Sequence, residues 1–173
     1  MMLAPAKAEG VVAAVATLAD PWSKLFSHSK PVSAGVLFLH LAPLVFAAGA
    51  AFTADRATLR AVRAGAADRA RQLAEIARTH RIVLGGLALS FGSGILLFLS
   101  DVETFAASPL FYLKLALVGL LMLNGFFMTR TEQALMSAGD DTALWGRMRT
   151  IALLSAVLWL ATTLAGVVLK EFA

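Results

Sequence analysis

Three histidines and one lysine placed well inside an apolar run are where this chain has groups suited to chemistry in an apolar setting. His40 lies about nine residues from the start of its run, a depth of roughly 12–14 Å at the helical rise. A neutral imidazole there can hydrogen-bond a neighbouring helix and serve packing, ligate haem iron or another ligand, or form part of a proton or ion path. Ionisable side chains at such depth face a bundle interior or a cavity. Pro43, three residues on, removes a helix hydrogen bond and frees the carbonyl of Leu39 beside the ring. Lys114 sits about one turn into another run. Its ammonium either snorkels to the interface or turns inward toward an anionic headgroup, a haem propionate or a quinone oxygen. His28 precedes His40 by twelve residues, and His80 opens a further run.

The elements that carry these residues are four apolar segments, at about residues 32–54, 82–100, 110–128 and 151–169. Each has the roughly twenty residues that a 30 Å hydrocarbon core requires. The chain is 173 residues and 59% hydrophobic, more apolar surface than a soluble domain of that length can hide. It has no cysteine, which excludes disulfides, thiolate metal sites and cysteine nucleophiles. The net charge of +4 comes from fifteen cations, ten of them arginines beside or between the apolar segments. That is a membrane-topology pattern, and nucleic acid is not an expected partner.

The expected fold is all-α: a four-helix transmembrane bundle, up-down-up-down, over residues 32–173. Residues 1–31 form an outer segment. Within it, Val11 to Leu18 is too short to span, and Val11–Ser27 is read as an interfacial helix with Trp22 and Phe26 at headgroup level. Asp20-Pro21 is expected to break it. Arginines 56, 60, 63, 69, 71, 78 and 81 lie between the first two spans, and 130, 147 and 149 between the last two. Those loops are therefore expected in the cytoplasm of a bacterial inner membrane, with both termini outside on the side of Lys7, Lys24, Lys30 and Lys170. Gly65 is the expected turn of the first loop, and Gly139-Asp140-Asp141 of the second. The short 101–107 connection makes spans two and three antiparallel neighbours.

Small residues mark helix contacts. Gly86, Ser90, Ser93 and Gly94 form a stripe on span two, and Ser155, Thr162 and Gly166 another on span four. His40, Ser93, Lys114 and Thr162 or Thr163 fall at similar depth. His40 and His80 lie on opposite sides of the midplane and do not share an iron; His28 and His40 pair only if the Ser29-Lys30-Pro31 turn folds the first segment back. Asp55 is expected to pair with Arg78, Arg81 or Arg149, a weak exposed contact. Asn124 can hydrogen-bond across helices. No Walker loop, nucleophile elbow or zinc pair on one helix face is present.

His28, His40, Gly49, Asp55-Arg56, Ser93-Gly94, Phe111, Lys114 and Asn124 together resemble the pattern of a family of small four-span bacterial inner-membrane proteins. More distantly the chain is similar to the four-helix cytochrome b561 and copper-resistance membrane domains. The resemblance covers about residues 25–130 and implies fold and topology, not activity. Members often carry a leucine between the aspartate and the arginine, and a histidine soon after the asparagine. Here Arg56 follows Asp55 directly, and Thr129 stands about where that histidine falls, which weakens a haem site at that end.

Three functions are compatible with these residues. The first is a non-enzymatic accessory or anchor subunit of an inner-membrane complex, whose partners are the bilayer and other subunits or further copies of itself. The second is an electron-transfer subunit holding haem b or quinone near His40, Lys114 and His28, with His40 as the only metal ligand, to haem iron. The third is a small metal or solute transporter, which the lack of carboxylates within the spans disfavours for cations.

Overall fold

Proline, glycine and capping aspartates mark several of the helix ends. The computed structural model describes residues 5–172, and among them every regular element is a helix. These are α1 (Pro5–His28), α2 (Lys30–Ala61), α3 (Ala66–Ser100), α4 (Val102–Ala107), α5 (Pro109–Ala138) and α6 (Thr142–Phe172). The side chains of Lys7 and Lys170, two of the lysines expected outside, lie beyond the described set. Four helices, α2, α3, α5 and α6, are long and apolar enough to cross a membrane. All four extend past the apolar runs, and the extensions carry nine of the ten arginines, Arg63 lying in the turn between α2 and α3.

The helix ends follow local chemistry. Pro31 and Pro109 occupy first-turn positions, where a missing N–H is not needed. Asp101 caps α4 by accepting from Thr104 N at 3.3 Å. Asp141 caps α6, its Oδ1 accepting from Ala143 N at 2.7 Å and Leu144 N at 3.2 Å. Gly139 ends α5 at φ 80°, a backbone state glycine alone adopts without strain. Gly65 is the N-cap of α3 rather than a left-handed turn.

The first helix departs from expectation. It runs unbroken through Pro21. Proline forfeits one helix hydrogen bond, and tertiary contact offsets that loss. The Trp22 indole donates to the Leu96 carbonyl at 2.8 Å, and the Ser23 hydroxyl to the Ser100 carbonyl at 2.7 Å. Val12, Val15, Ala16, Ala19, Trp22, Ser23 and Phe26 form one at least partly buried stripe at helical spacing. Ser29, in extended conformation, separates α1 from α2, and α1 packs against α2, α3 and α4.

The four long helices meet along three close seams and one thin one. α2 and α3 run antiparallel in extensive contact, as His40 with Ser90 and Thr58 with Gln72 show. α5 and α6 do likewise, with Asn124 against Ile151 and Lys114 against Gly166. α6 also packs on α2. α3 and α5 touch chiefly near their ends, through stacked Phe98 and Phe111 (centroids 5.3 Å apart) and through His80 and Thr129. The spans are neighbours, as the short connection predicts, but between these two contacts they part.

One apolar core lies midway along the bundle, around Ala47, Ala51, Leu121, Leu158 and Trp159. A second lies at the arginine-rich end, around Ile76, Leu135, Trp145, Met148 and Ala152. Arg69 locks that end. It donates to the Ala61 carbonyl (3.2 Å), the Val62 carbonyl (2.9 Å) and Asp140 (2.9 Å), with its guanidinium over the Trp145 ring.

Candidate functional site

His40 is anchored by the α2–α3 seam. Its Nδ1 lies 2.8 Å from the Ser90 carbonyl, which only accepts, so Nδ1 carries the proton and Nε2 keeps the lone pair. The Ser90 hydroxyl donates to the His40 carbonyl at 2.9 Å. Ser93 Oγ lies 3.2 Å from the carbonyl of Leu39, the group that Pro43 leaves without its helix donor. Glycines make this closeness possible. A Cβ on Gly94 would lie 3.2 Å from the His40 ring, and one on Gly86 only 2.8 Å from the Pro43 carbonyl oxygen and from Ala47 Cβ. The small-residue stripe is therefore a true contact face.

Lys114 turns its ammonium toward α6, where a Cβ on Gly166 would lie 3.6 Å from Nζ. It is partly buried and within electrostatic reach of His40. Thr162, one turn before Gly166, is buried with an unpartnered hydroxyl. The structure thus brings His40, Ser90 and Ser93 together, with Lys114 near them. His28 is elsewhere in its bonding: it is exposed at the end of α1, with Nδ1 on its own helix at the Lys24 carbonyl (2.8 Å).

The donor set around His40 does not complete a haem site. The Nε2 lone pair suits an axial ligand held by a second-shell carbonyl, but His28 bonds within α1 and His80 is engaged by Thr129 toward the other end of α3. Among the described residues, no group of three His, Cys, Asp or Glu side chains converges on one point.

A second concavity lies away from His40. A cleft of about 380 Å³ occupies the gap between α3 and α5, backed by α2 and α6. Its walls are apolar, with Leu84, Leu87, Met122 and Phe126 on the two flanking helices and Trp159 at the back. Neither His40, His28 nor Lys114 lines it. Its polar groups are Asp55, Thr79, His80, Asn124, Thr129 and Ser155.

Asp55 departs most from expectation. It is 4% exposed, and among the described residues it has no ion pair. Arg78, Arg81 and Arg149 are all exposed and point away from the interior. Ser155 lies beside the carboxyl, and Oδ2 has no partner. The signal was present in the sequence: Ala47, Ala51, Asp55 and Thr58 fall on one helical stripe, and all four are buried. Asn124 crosses helices as expected, its amide donating to the Ile151 carbonyl at 3.2 Å.

Comparison with family models, with curated protein sequences and with solved structures gives no match.

Proposed function

We propose that this chain is a non-enzymatic subunit of a bacterial inner membrane that holds a lipid-soluble, ring-bearing ligand of the quinone class in the α3–α5 cleft. In this reading the four long helices form an up-down-up-down bundle. The ten arginines place their end in the cytoplasm, and α1 lies along the opposite face at the membrane interface. The resemblance to small four-span inner-membrane proteins supports the same topology.

The cleft carries the reading. Its volume of about 380 Å³ falls in the range of small-ligand sites, and it combines apolar walls with a few convergent polar groups. It lies where two membrane-length helices part, so a ligand dissolved in the bilayer reaches it sideways without crossing water. The proposed ligand site thus moves from His40 and Lys114 to His80, Asn124 and Asp55. His40 becomes a packing residue of the α2–α3 seam, and its hydrogen bonds are those such a role requires.

Trp159 lines the cleft and reports on it. Titration of the detergent-solubilised protein with a short-tailed quinone is expected to quench tryptophan fluorescence saturably. Trp159→Phe is expected to remove most of that saturable component. Quenching that rises linearly without saturation, as from collision in the micelle, would exclude the reading. A reduced-minus-oxidised absorption spectrum of the same preparation tests the alternative: a b-type haem band lost in His40→Ala would return the site to His40.

A further inference from the structure

The polar residues of the cleft differ in how much of them a ligand can touch. Asp55, Asn124, Ser155 and Trp159 are buried, whereas Thr79, His80 and Thr129 keep part of their surface. Thr79 donates to the Glu75 carbonyl of its own helix at 3.1 Å. That leaves the pair of His80 and Thr129, toward the arginine-rich end of the cleft. His80 Nδ1 has no hydrogen bond among the described residues, yet it is not sealed off as Asp55 Oδ2 is. This nitrogen therefore keeps surface that a ligand can meet.

The pair has one hydroxyl proton and two places for it. Thr129 Oγ1 lies 3.1 Å from the Gly125 carbonyl oxygen and 3.1 Å from His80 Nε2. When the hydroxyl donates to Gly125, Oγ1 receives the Nε2 proton and Nδ1 presents a lone pair. When the hydroxyl donates to Nε2, the ring proton sits on Nδ1, which then presents a donor. The second state does not orphan Gly125, whose carbonyl also accepts the Thr129 N–H within α5. A neutral ring carries one proton in both states. Interchange releases a proton to solvent from one nitrogen and takes one up at the other, with no net gain or loss.

Resting on the quinone-class reading above, we propose that His80 meets a ring oxygen of the ligand, and that its exchange of tautomer against Thr129 lets the cleft hold quinone and hydroquinone with similar affinity. A quinone oxygen accepts the Nδ1 proton. A hydroquinone hydroxyl donates to the Nδ1 lone pair. His80 touches the ligand, and Thr129 is a positioning residue whose hydroxyl follows the change. This is a statement about binding; no electron transfer is assigned to the chain.

The test uses the full-length protein in detergent, under anaerobic conditions, at about pH 8, where an ordinary imidazole is neutral. Equilibrium dialysis compares a short-tailed hydroquinone, its quinone, and the same ring and tail without the two oxygens. The first two are expected to bind within about threefold of each other, and about fivefold or more tightly than the third, the difference one neutral hydrogen bond makes. Nitrogen NMR of histidine-labelled protein reads the tautomer. His80 is expected to carry its proton on Nδ1 with quinone bound and on Nε2 with hydroquinone bound. His28→Gln removes the signals of one other histidine, and the Ser90 carbonyl holds His40 in its Nδ1–H form, so His80 is identified without altering the cleft. His80→Phe is expected to bring both oxygenated compounds down to the affinity of the oxygen-free ring; the dialysis and the NMR stand even where that variant fails to fold. A preference above about threefold for one form, equal binding of all three compounds, or the same His80 tautomer with both forms overturns the proposal while leaving the cleft able to take the ring. Binding of none of the three removes the quinone-class reading itself, and this proposal with it.

Discussion

Helix α3 faces two partners and treats them differently. Toward α2 it presents Gly86, Ser90, Ser93 and Gly94, and the two backbones close until side-chain hydroxyls reach the partner's carbonyls. Toward α5 it presents His80, Leu84 and Leu87, and a cleft remains. On the close seam, polar groups are consumed by the protein. On the open seam, polar groups such as Asp55, Asn124 and His80 line a cleft instead of joining the two helices along their length. Polarity within a membrane helix is therefore a poor guide to function by itself. The spacing of the two backbones decides whether a polar group is structural or free for a ligand.

The comparison is broken most severely by separating the close seam. Gly86→Leu places a Cβ 2.8 Å from the backbone oxygen of Pro43, which does not move aside. A loss of about 3 kcal/mol or more is expected in unfolding from detergent, with failure to accumulate as the extreme. Arg69→Ala comes next, at about 2–3 kcal/mol, since three hydrogen bonds to the guanidinium join α2, α3 and the α5–α6 turn. Because two of these go to backbone carbonyls, the loss should change little between low and high salt. His40→Ala removes the bond to Ser90 and is expected to cost about 1–2 kcal/mol. It should leave ligand affinity in the cleft within about twofold, which dialysis would check.

Two smaller substitutions sharpen the contrast. Gly125→Ala, on the open seam, adds a Cβ 3.6 Å from the His80 ring, an ordinary contact. Its unfolding free energy is expected to shift by less than about 1 kcal/mol, against the large loss at Gly86. Thr162→Val replaces an unpartnered buried hydroxyl with a methyl group of similar shape. Unfolding should then show no loss, or a gain of up to about 1 kcal/mol.

Much of the close seam was legible in the sequence because it depends on local spacing. Small residues at helical intervals, a proline three residues after His40 and a loop short enough to force antiparallel neighbours are all one-dimensional signals. Pro21 misled because its local penalty is visible in sequence, whereas the compensating bonds of Trp22 and Ser23 come from α3. Asp55 misled for the opposite reason. Arginines are abundant nearby in the chain, but helical phase sends them outward and the aspartate inward. The cleft itself was not legible. It lies between two contacts of α3 with α5, Phe98 on Phe111 and His80 on Thr129, and such a gap depends on the packing of four helices together.

The attachment of α1 has a consequence for biosynthesis. Its indole anchor, Trp22, is seated on a carbonyl made 74 residues later. Until the ribosome has delivered the far end of α3, the partly buried stripe of this helix lacks the surface on which Trp22 and Ser23 are seated. Its final docking therefore belongs after the synthesis of α3, although α1 precedes that helix in the chain.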